Sequence, residues 1–272
     1  TLGYVYKPNK NWQINSVISS GFRAPNIDDI GRVREKAGTV TVSNIHVKPE
    51  FAYNAEIGVQ KYFNDKKFRF GANIYYTLLD NYIQRDFVYH TNGSIKQVEF
   101  DGEFGNTVSN QNKDKAYITG FTANYLGKIS NSWRTSGFIT YTKGKTYDTN
   151  EPMSSIPPLF GQFELNHKVD RFEFGAALRF NAKKNIKDFN ITEGIDNHDL
   201  TPIVNENATE DLLKYAGSPS WITAGLNFRF EVNNNFSVLA RLDNLLNEHY
   251  IEFASGVASP GRNLSVSFMV NF

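Results

Sequence analysis

Apolar and polar side chains alternate along the stretch Phe68-Arg69-Phe70-Gly71-Ala72-Asn73-Ile74-Tyr75-Tyr76-Thr77-Leu78. Successive side chains of a β-strand point to opposite faces, so a period of two predicts a strand with one apolar and one polar face. The same period returns in four further stretches, which are residues 51–60, 172–180, 222–231 and 263–272. Helical periodicity is scarce, and we therefore predict an all-β chain.

The alternation predicts eleven strands, at residues 2–7, 11–22, 50–62, 67–84, 115–128, 132–143, 158–169, 171–183, 219–231, 235–246 and 261–272. Short polar connections alternate with long ones, and the long ones are residues 23–49, 85–114, 144–157, 184–218 and 247–260. All tight turns are therefore expected at one end of the sheet and all long loops at the other. The loop 184–218 is rich in Asp and Glu, and we predict a solvated surface loop there.

Alternation fits both a soluble sandwich and a membrane barrel, and three features favour the barrel. The strands reach the roughly 9–11 residues that a tilted transmembrane strand needs. Tight turns at one end and long loops at the other match the plan of outer-membrane barrels. Aromatic residues such as Trp12, Phe22 and Tyr76 stand near both ends of an apolar face, as interfacial girdles do. We therefore predict an antiparallel transmembrane β-barrel.

Composition argues against several classes of function. The chain has 29 Lys and Arg against 28 Asp and Glu, a net charge of +1, which disfavours nucleic acid as a partner. It has no Cys, so thiol catalysis, Cys-bound zinc and iron–sulfur clusters are excluded. The five His show no zinc-ligand spacing, and no Gly-x-Ser-x-Gly motif occurs. We predict no catalytic residue, metal site or cofactor, and because Thr1 is not an initiator Met we interpret the chain as an internal or mature fragment.

Several short motifs follow one another in order along the whole chain. They are Gly21-Phe22-Arg23-Ala24-Pro25, Lys48-Pro49-Glu50, Asn54-Ala55-Glu56-Ile57-Gly58, Asp243-Asn244-Leu245 and Pro260-Gly261-Arg262-Asn263, with Phe272 at the end. Together they resemble the C-terminal half of the barrel of a TonB-dependent outer-membrane receptor. The ending, from His249-Tyr250 onward, looks most like receptors from Bacteroidetes-type bacteria.

The resemblance implies a barrel of 22 strands with a plug domain inside it. Residues 1–272 would then be the last eleven strands, with the plug and the first half of the barrel outside this chain. It also implies a protein of the Gram-negative outer membrane that faces lipid, captures a scarce nutrient and releases it inward when the TonB complex, which contacts the absent N-terminal region, acts on the plug. Within the family we favour an iron chelate, either a siderophore or haem, as the small-molecule ligand. The alternatives are a passive porin or adhesin barrel and, less favoured, an outer-membrane hydrolase.

Three arginines lie on polar strand faces and are candidates for ligand binding because an iron chelate is often anionic: Arg23, Arg179 and Arg229. His46 is the fourth candidate. Some family members that take haem have a haem-ligating His between Phe-Arg-Ala-Pro and a later Asn-Pro-Asn-Leu, whereas His46 lies inside the corresponding stretch Asn44-Ile45-His46-Val47.

Family resemblance also suggests contacts between barrel and plug. Glu56 matches a position where a carboxylate meets plug arginines, and Thr122, in Gly120-Phe121-Thr122, stands where its usual Glu companion would be. Phe272 ends an alternating apolar row, and in this family a C-terminal aromatic is an assembly signal for the barrel-insertion machinery. The long loops 23–49, 85–114 and 184–218 are expected to carry ligand contacts, because loops of that length are usually functional.

Overall fold

The structure is a computed structural model that describes residues 1–36, 38–190 and 195–271, without the side chain of Asp211. The strands in chain order are β1 (Leu2–Asn9), β2 (Trp12–Arg23), β3 (Arg34–Lys36), β4 (Thr39–Thr41), β5 (Glu50–Phe63), β6 (Phe68–Phe87), β7 (Gln97–Phe100), β8 (Glu103–Lys128), β9 (Trp133–Thr146), β10 (Phe160–Val169), β11 (Phe172–Asn181), β12 (Lys184–Asn185), β13 (Gly217–Ser218), β14 (Trp221–Glu231), β15 (Phe236–Asp243) and β16 (Asn263–Val270). One short helix, α1 (Ile27–Gly31), and three 3₁₀ turns (Ile186–Asp188, His198–Leu200 and Asp211–Lys214) lie in the loops. Within the described residues, no helix has the length and apolar character needed to span a membrane.

Eleven of these strands form the predicted antiparallel sheet, in the order β1-β2-β5-β6-β8-β9-β10-β11-β14-β15-β16. Each of these eleven strands is connected to the one before it by a tight turn or a long loop, and the two kinds of connection alternate as predicted. The two ends of the sheet, β1 and β16, lie at opposite edges of this order. The sheet is therefore a partial, open barrel, and the prediction of an all-β antiparallel fold is confirmed.

One face of the sheet is apolar and exposed. Phe70, Ile74, Phe174, Leu178 and Phe268 are between 44 and 69 % exposed although they are large apolar side chains. A soluble sandwich would bury such a row, whereas a membrane barrel turns it toward lipid. We call this side the apolar face and the other the polar face, which lines the interior of a closed barrel.

Aromatic rings gather on the apolar face near the tight turns. Phe172 stacks on Phe230 with ring centroids 4.8 Å apart, and Trp133 lies 4.1 Å from the ring of His167. Nζ of Lys61 lies 4.3 Å from the centroid of the Trp12 ring. Amphipathic rings with nearby cations at one level are typical of a membrane–water interface.

Two predicted loops are more ordered than expected. The loop predicted at 85–114 is largely a continuation of the sheet, because β6 runs to Phe87, β8 begins at Glu103, and Tyr82–Phe87 pairs with Lys113–Val108. The strand β4 then pairs in parallel with Asn106–Val108 of β8, so part of the loop 23–49 joins the same extension. The boundary was wrong because these residues are polar on both sides, and no apolar row reveals the strand.

The buried apolar residues sit at the loop end of the sheet. Met153 packs on Leu79, Tyr82 and Ala116 in one cluster, with Ile156 beside it. The loop between β9 and β10 therefore folds onto the polar face and covers the upper ends of β6 and β8.

Candidate functional site

The ladder registers place five of the predicted site residues on the polar face, namely Arg23, Glu56, Thr122, Arg179 and Arg229. They do not form one site. Arg179 pairs with Thr223 and Arg229 with Glu173, six residues further along β11, which is about 20 Å at the usual rise of a strand. Arg23 lies on β2, six strands from β11 in the sheet order, or roughly 29 Å along the sheet.

Arg23 is held by two carboxylates at the loop end. Nη1 of Arg23 lies 2.7 Å from Oδ2 of Asp29, and Nη2 lies 3.9 Å from Oε2 of Glu50. The Asp29 carboxylate also accepts the N–H of Asn26 in the capping box of α1. Arg23 therefore ties β2 to α1 and β5. The remaining candidate in this region, His46, is exposed in a turn, and its N–H donates to Oδ1 of Asn44 at 3.1 Å.

Arg179 lies in a cluster of aromatic and acidic side chains. Its guanidinium donates to Oε1 of Glu252 at 3.1 Å, and the guanidinium carbon lies 5.9 Å from the centroid of the Trp221 ring. The Trp221 ring is in turn 4.3 Å from the ring of Tyr250. We call Arg179, Trp221, Tyr250 and Glu252 the arginine–aromatic wall. It presents aromatic rings beside an Arg–Glu ion pair, a surface that a planar aromatic ligand would contact.

The loop between β15 and β16 folds so as to deliver Tyr250 and Glu252 to this wall. Ile251 and Ala258 form an antiparallel bridge, and the N–H of Ser259 donates to the carbonyl of Tyr250 at 2.9 Å. At its base, the buried side chain of Asn244 donates to the carbonyls of Glu248 and Pro260 and accepts the N–H of Glu248. Sequence reasoning missed Tyr250 and Glu252 because a loop residue has no periodic signal.

A groove of about 740 Å³ runs from the wall along the polar face, lined in part by Gln162, Thr223, Asn227 and Arg241. Arg241 is also paired within the chain, because its Nε donates to Oδ1 of Asp243 at 2.8 Å. A second recess of about 280 Å³ adjoins the wall and contains Phe138 and Phe160. The two rings meet edge to face at 6.1 Å, so aromatic surface continues on that side.

Lys184, near the arginine–aromatic wall, contacts residues of three loops. Its Nζ donates to the carbonyl of Ile156 at 2.7 Å and to Oδ2 of Asp196 at 3.2 Å, and it lies 4.0 Å from the centroid of the Phe253 ring. Burial lowers the pKa of Lys184, and the neighbouring Asp196 carboxylate opposes that shift only in part. The prediction of a fully solvated loop at 184–218 was therefore wrong for these two residues: Asp196 is buried because it has a cation from the same loop as its partner. Among the described residues, no group of three His, Cys, Asp or Glu side chains could hold a metal ion.

Glu56 and Thr122 lie in the middle of the sheet, on either side of Asn73. Nδ2 of Asn73 donates to Oε1 of Glu56 at 2.9 Å, and Asn73 is the ladder partner of Thr122. The Thr122 hydroxyl lies 3.1 Å from that of Thr140. The two predicted plug contacts are thus brought close together by the sheet, while Phe272 lies outside the described residues.

Comparison with known proteins assigns the family. Residues 1–245 match the model of the TonB dependent receptor-like beta-barrel. Hemoglobin-binding protein A of Haemophilus influenzae is 26 % identical over 285 residues, which cover 93 % of this chain and 26 % of the relative. The hemoglobin and hemoglobin-haptoglobin-binding protein of Haemophilus ducreyi is 22 % identical, over 99 % of this chain and 31 % of the relative.

Solved structures share the fold. The copper transporter OprC superposes with a TM-score of 0.74 at 18 % identity, over 99 % of this chain and 38 % of that chain. The siderophore receptor PirA of Acinetobacter baumannii gives 0.74 at 17 % identity, over 98 % of this chain and 40 % of that chain. This chain thus spans between about a quarter and two fifths of the proteins it matches. It belongs to the TonB-dependent receptors of the Gram-negative outer membrane, as part of their β-barrel.

Proposed function

We propose that the receptor containing this chain imports an iron compound through the outer membrane, with haem as the first candidate, and draws its energy from TonB. The observation that carries the proposal is the arginine–aromatic wall, where Arg179 lies over Trp221 and Trp221 lies against Tyr250. Aromatic rings beside an arginine that is already paired with Glu252 suit a planar aromatic ligand. The names of the Haemophilus relatives support haem over other iron compounds.

The rest of the receptor is part of the same proposal. We propose that this chain forms the last eleven strands of a barrel of 22, with a plug domain of the same polypeptide inside it. The open sheet of eleven main strands supports this, because both of its edges need partners. This chain covers about two fifths of solved receptors. That share fits half of the barrel in a protein that also contains the other half and a plug.

Among the predicted ligand residues, Arg179 has the best support, because it lies beside two aromatic rings that contact each other. Arg23 lies at the loop end of β2 and His46 in the loop that follows, and we propose that they contact ligand or plug there. Arg229 lies near the tight turns, where its Nε is 4.0 Å from Oε1 of Glu231, so any contact with ligand would come late in transport.

Growth on haem tests the proposal. The full-length receptor is produced in a Gram-negative host that lacks its own haem receptor, with haem as the sole iron source. We expect growth that requires TonB, and we expect Trp221→Ala to weaken haem binding by about tenfold, the loss of one aromatic contact of roughly 1.4 kcal/mol. Trp133→Ala is the matched control, because Trp133 lies on the apolar face at the turn end.

Three outcomes would contradict the proposal in different ways. Growth on ferric siderophores but not on haem would support import of an iron compound and would rule out haem as the ligand. Uptake that persists without TonB would support a passive porin. Release of products from peptide or lipid substrates by the purified receptor would support a hydrolase.

A further inference from the structure

Three arginines at the loop end of the polar face are already paired with carboxylates. Arg23, Arg179 and Arg241 each have a carboxylate of the same chain within 3.1 Å, at Asp29, Glu252 and Asp243. A guanidinium stays charged at any physiological pH, so only a neighbouring anion can cancel its charge. The surface immediately around these three arginines is therefore less cationic than the sequence suggests.

We propose that Glu252 is a specificity-determining residue, which neutralises Arg179 and so biases the arginine–aromatic wall toward flat ligands of low net charge and against polyanionic iron chelates. This inference rests on the proposed function, because it names the charge class of ligand that the same site takes.

The physical reason is the position of the carboxylate. Without Glu252, Arg179 would offer the paired N–H donors that bind an anion most strongly. With Oε1 of Glu252 at 3.1 Å, an anion must displace that carboxylate or approach it closely, and the repulsion grows with each charge the ligand carries. Contact with the rings of Trp221 and Tyr250 does not depend on net charge.

The geometry makes this a bias and not an absolute exclusion. The side chains of Arg179 and Glu252 are 45 and 49 % exposed, so water and salt screen the pair. Glu252 is nevertheless fixed in place, because it directly follows Ile251 of the bridge with Ala258, and its carbonyl accepts the N–H of Ser255 at 3.0 Å. The carboxylate is thus presented by a folded loop and stays near Arg179.

The alternative is that the ion pair only fastens this loop to β11. Glu252→Gln separates the two, because an amide oxygen still accepts a hydrogen bond from Arg179 but carries no charge. The loop contact is kept while the electrostatic effect is removed. Glu248→Gln removes the same charge from the same loop at an exposed residue whose bonds to Asn244 use only the backbone, so it is the matched control.

The experiment measures binding to the full-length receptor in detergent with iron porphyrins that share one ring and differ in charge: protoporphyrin dimethyl ester, protoporphyrin with two carboxylates, and coproporphyrin with four. The wild type is expected to bind the tetracarboxylate most weakly. We expect Glu252→Gln to increase the affinity for the tetracarboxylate by about tenfold and to change the affinity for the diester by less than about twofold. The affinities of Glu248→Gln should be close to those of the wild type. The gain should shrink as salt is raised.

The inference would be overturned if Glu252→Gln changed the affinity equally for all three porphyrins, or if it bound the tetracarboxylate more weakly than the wild type does. Failure of the proposed function looks different, since the receptor would then bind octahedral chelates and no porphyrin. In that case a trianionic ferric tris-catecholate and a neutral ferric tris-hydroxamate replace the porphyrin series. A tenfold gain for the trianion alone in Glu252→Gln would support the charge selectivity assigned to Glu252, and no gain would refute it.

Discussion

Nζ of Lys184 and Oδ2 of Asp196 form an ion pair at 3.2 Å whose side chains are only 5 and 0 % exposed. The pair is also bonded to its surroundings, because Lys184 donates to the carbonyl of Ile156 and Asp196 accepts the N–H of Ser155 at 2.8 Å. Asn197 of the same loop donates to the carbonyl of Ala254 at 3.0 Å. Three loops at the same end of the sheet, 147–159, 182–220 and 244–262, are thereby joined around one buried charge pair.

Removing the charge of Lys184 alone should destabilise the contact between these loops, whereas removing the charges of both Lys184 and Asp196 should not. Lys184→Met leaves the Asp196 carboxylate buried without a cation, which typically costs about 3–5 kcal/mol. The double variant Lys184→Met/Asp196→Asn has no buried charge and keeps an acceptor for the N–H of Ser155. We expect protease to cut loop 182–220 of the receptor much faster in the single variant than in the double variant.

The control for this comparison is Lys187→Met, which removes an exposed lysine of the same loop. Equal cleavage of the single and double variants would show that the charge pair does not hold the loops together.

The same lysine gives the loops a pH dependence. Burial lowers the pKa of Lys184 below its ordinary 10.5, so the folded loops hold its proton less tightly than the unfolded chain does. Between the lowered pKa and 10.5 the unfolded state binds more protons, and stability relative to a lysine-free loop rises with pH. We expect the resistance of loop 182–220 to protease to increase from neutral to alkaline pH in the wild type relative to Lys184→Met/Asp196→Asn, which carries neither charge. Parallel pH profiles for the two proteins would contradict this.

The strands that cross the membrane could be predicted because lipid requires an unbroken apolar row. In β5 and β14 every second residue must be apolar, and these strands were found within two residues of their ends. The part of β8 before Lys115 has a polar sequence with no such row, and it is held as a strand by pairing with β4, β6 and β7. The contact between Arg179 and Glu252 joins residues 73 apart in the chain, and no local pattern encodes it. The roles of Glu56, Thr122 and Phe272 stay predictions.

Asn112 fastens the first long loop to the extended hairpin of β6 and β8. Its Oδ1 accepts the N–H of Lys48 at 2.7 Å, and its Nδ2 donates to the carbonyls of Lys48 at 3.0 Å and Asn81 at 2.8 Å. At about 1 kcal/mol for each net hydrogen bond, Asn112→Ala should destabilise this docking by roughly 2–3 kcal/mol. Hydrogen exchange should accelerate at Lys48 and its neighbours. Asn92→Ala is the control, since the Asn92 side chain bonds to Ser94 in an exposed turn. Exchange at Lys48 that stays as slow in Asn112→Ala as in the wild type would refute the prediction.

Glu56 offers a test of contact between barrel and plug. One of its carboxylate oxygens accepts from Asn73, in the middle of the polar face and well below the loops. If plug arginines meet this carboxylate, Glu56→Gln should slow TonB-dependent uptake several-fold and leave equilibrium binding of haem within about twofold of wild type, because a charge pair worth about 1 kcal/mol is lost away from the ligand. Glu173→Gln removes a charge from the same face near the tight turns and should change neither quantity. A loss of haem affinity in Glu56→Gln would instead place Glu56 in the ligand site.

The two open edges of the sheet predict how residues 1–272 behave when they are expressed alone. All eight residues of β1 and all eight of β16 are exposed, and each strand has a ladder partner on one side only. In hydrocarbon each unsatisfied backbone group costs several kcal/mol, so neither edge can face lipid unpaired. Closing β1 on β16 would not help: eleven strands joined by ten reversals leave these two parallel, whereas bacterial single-chain barrels close with antiparallel strands. After refolding in detergent we expect aggregates or oligomers, no heat-modifiable monomer on a gel, and no insertion into liposomes. A stable, heat-modifiable monomer would show that this chain closes on itself as a smaller barrel.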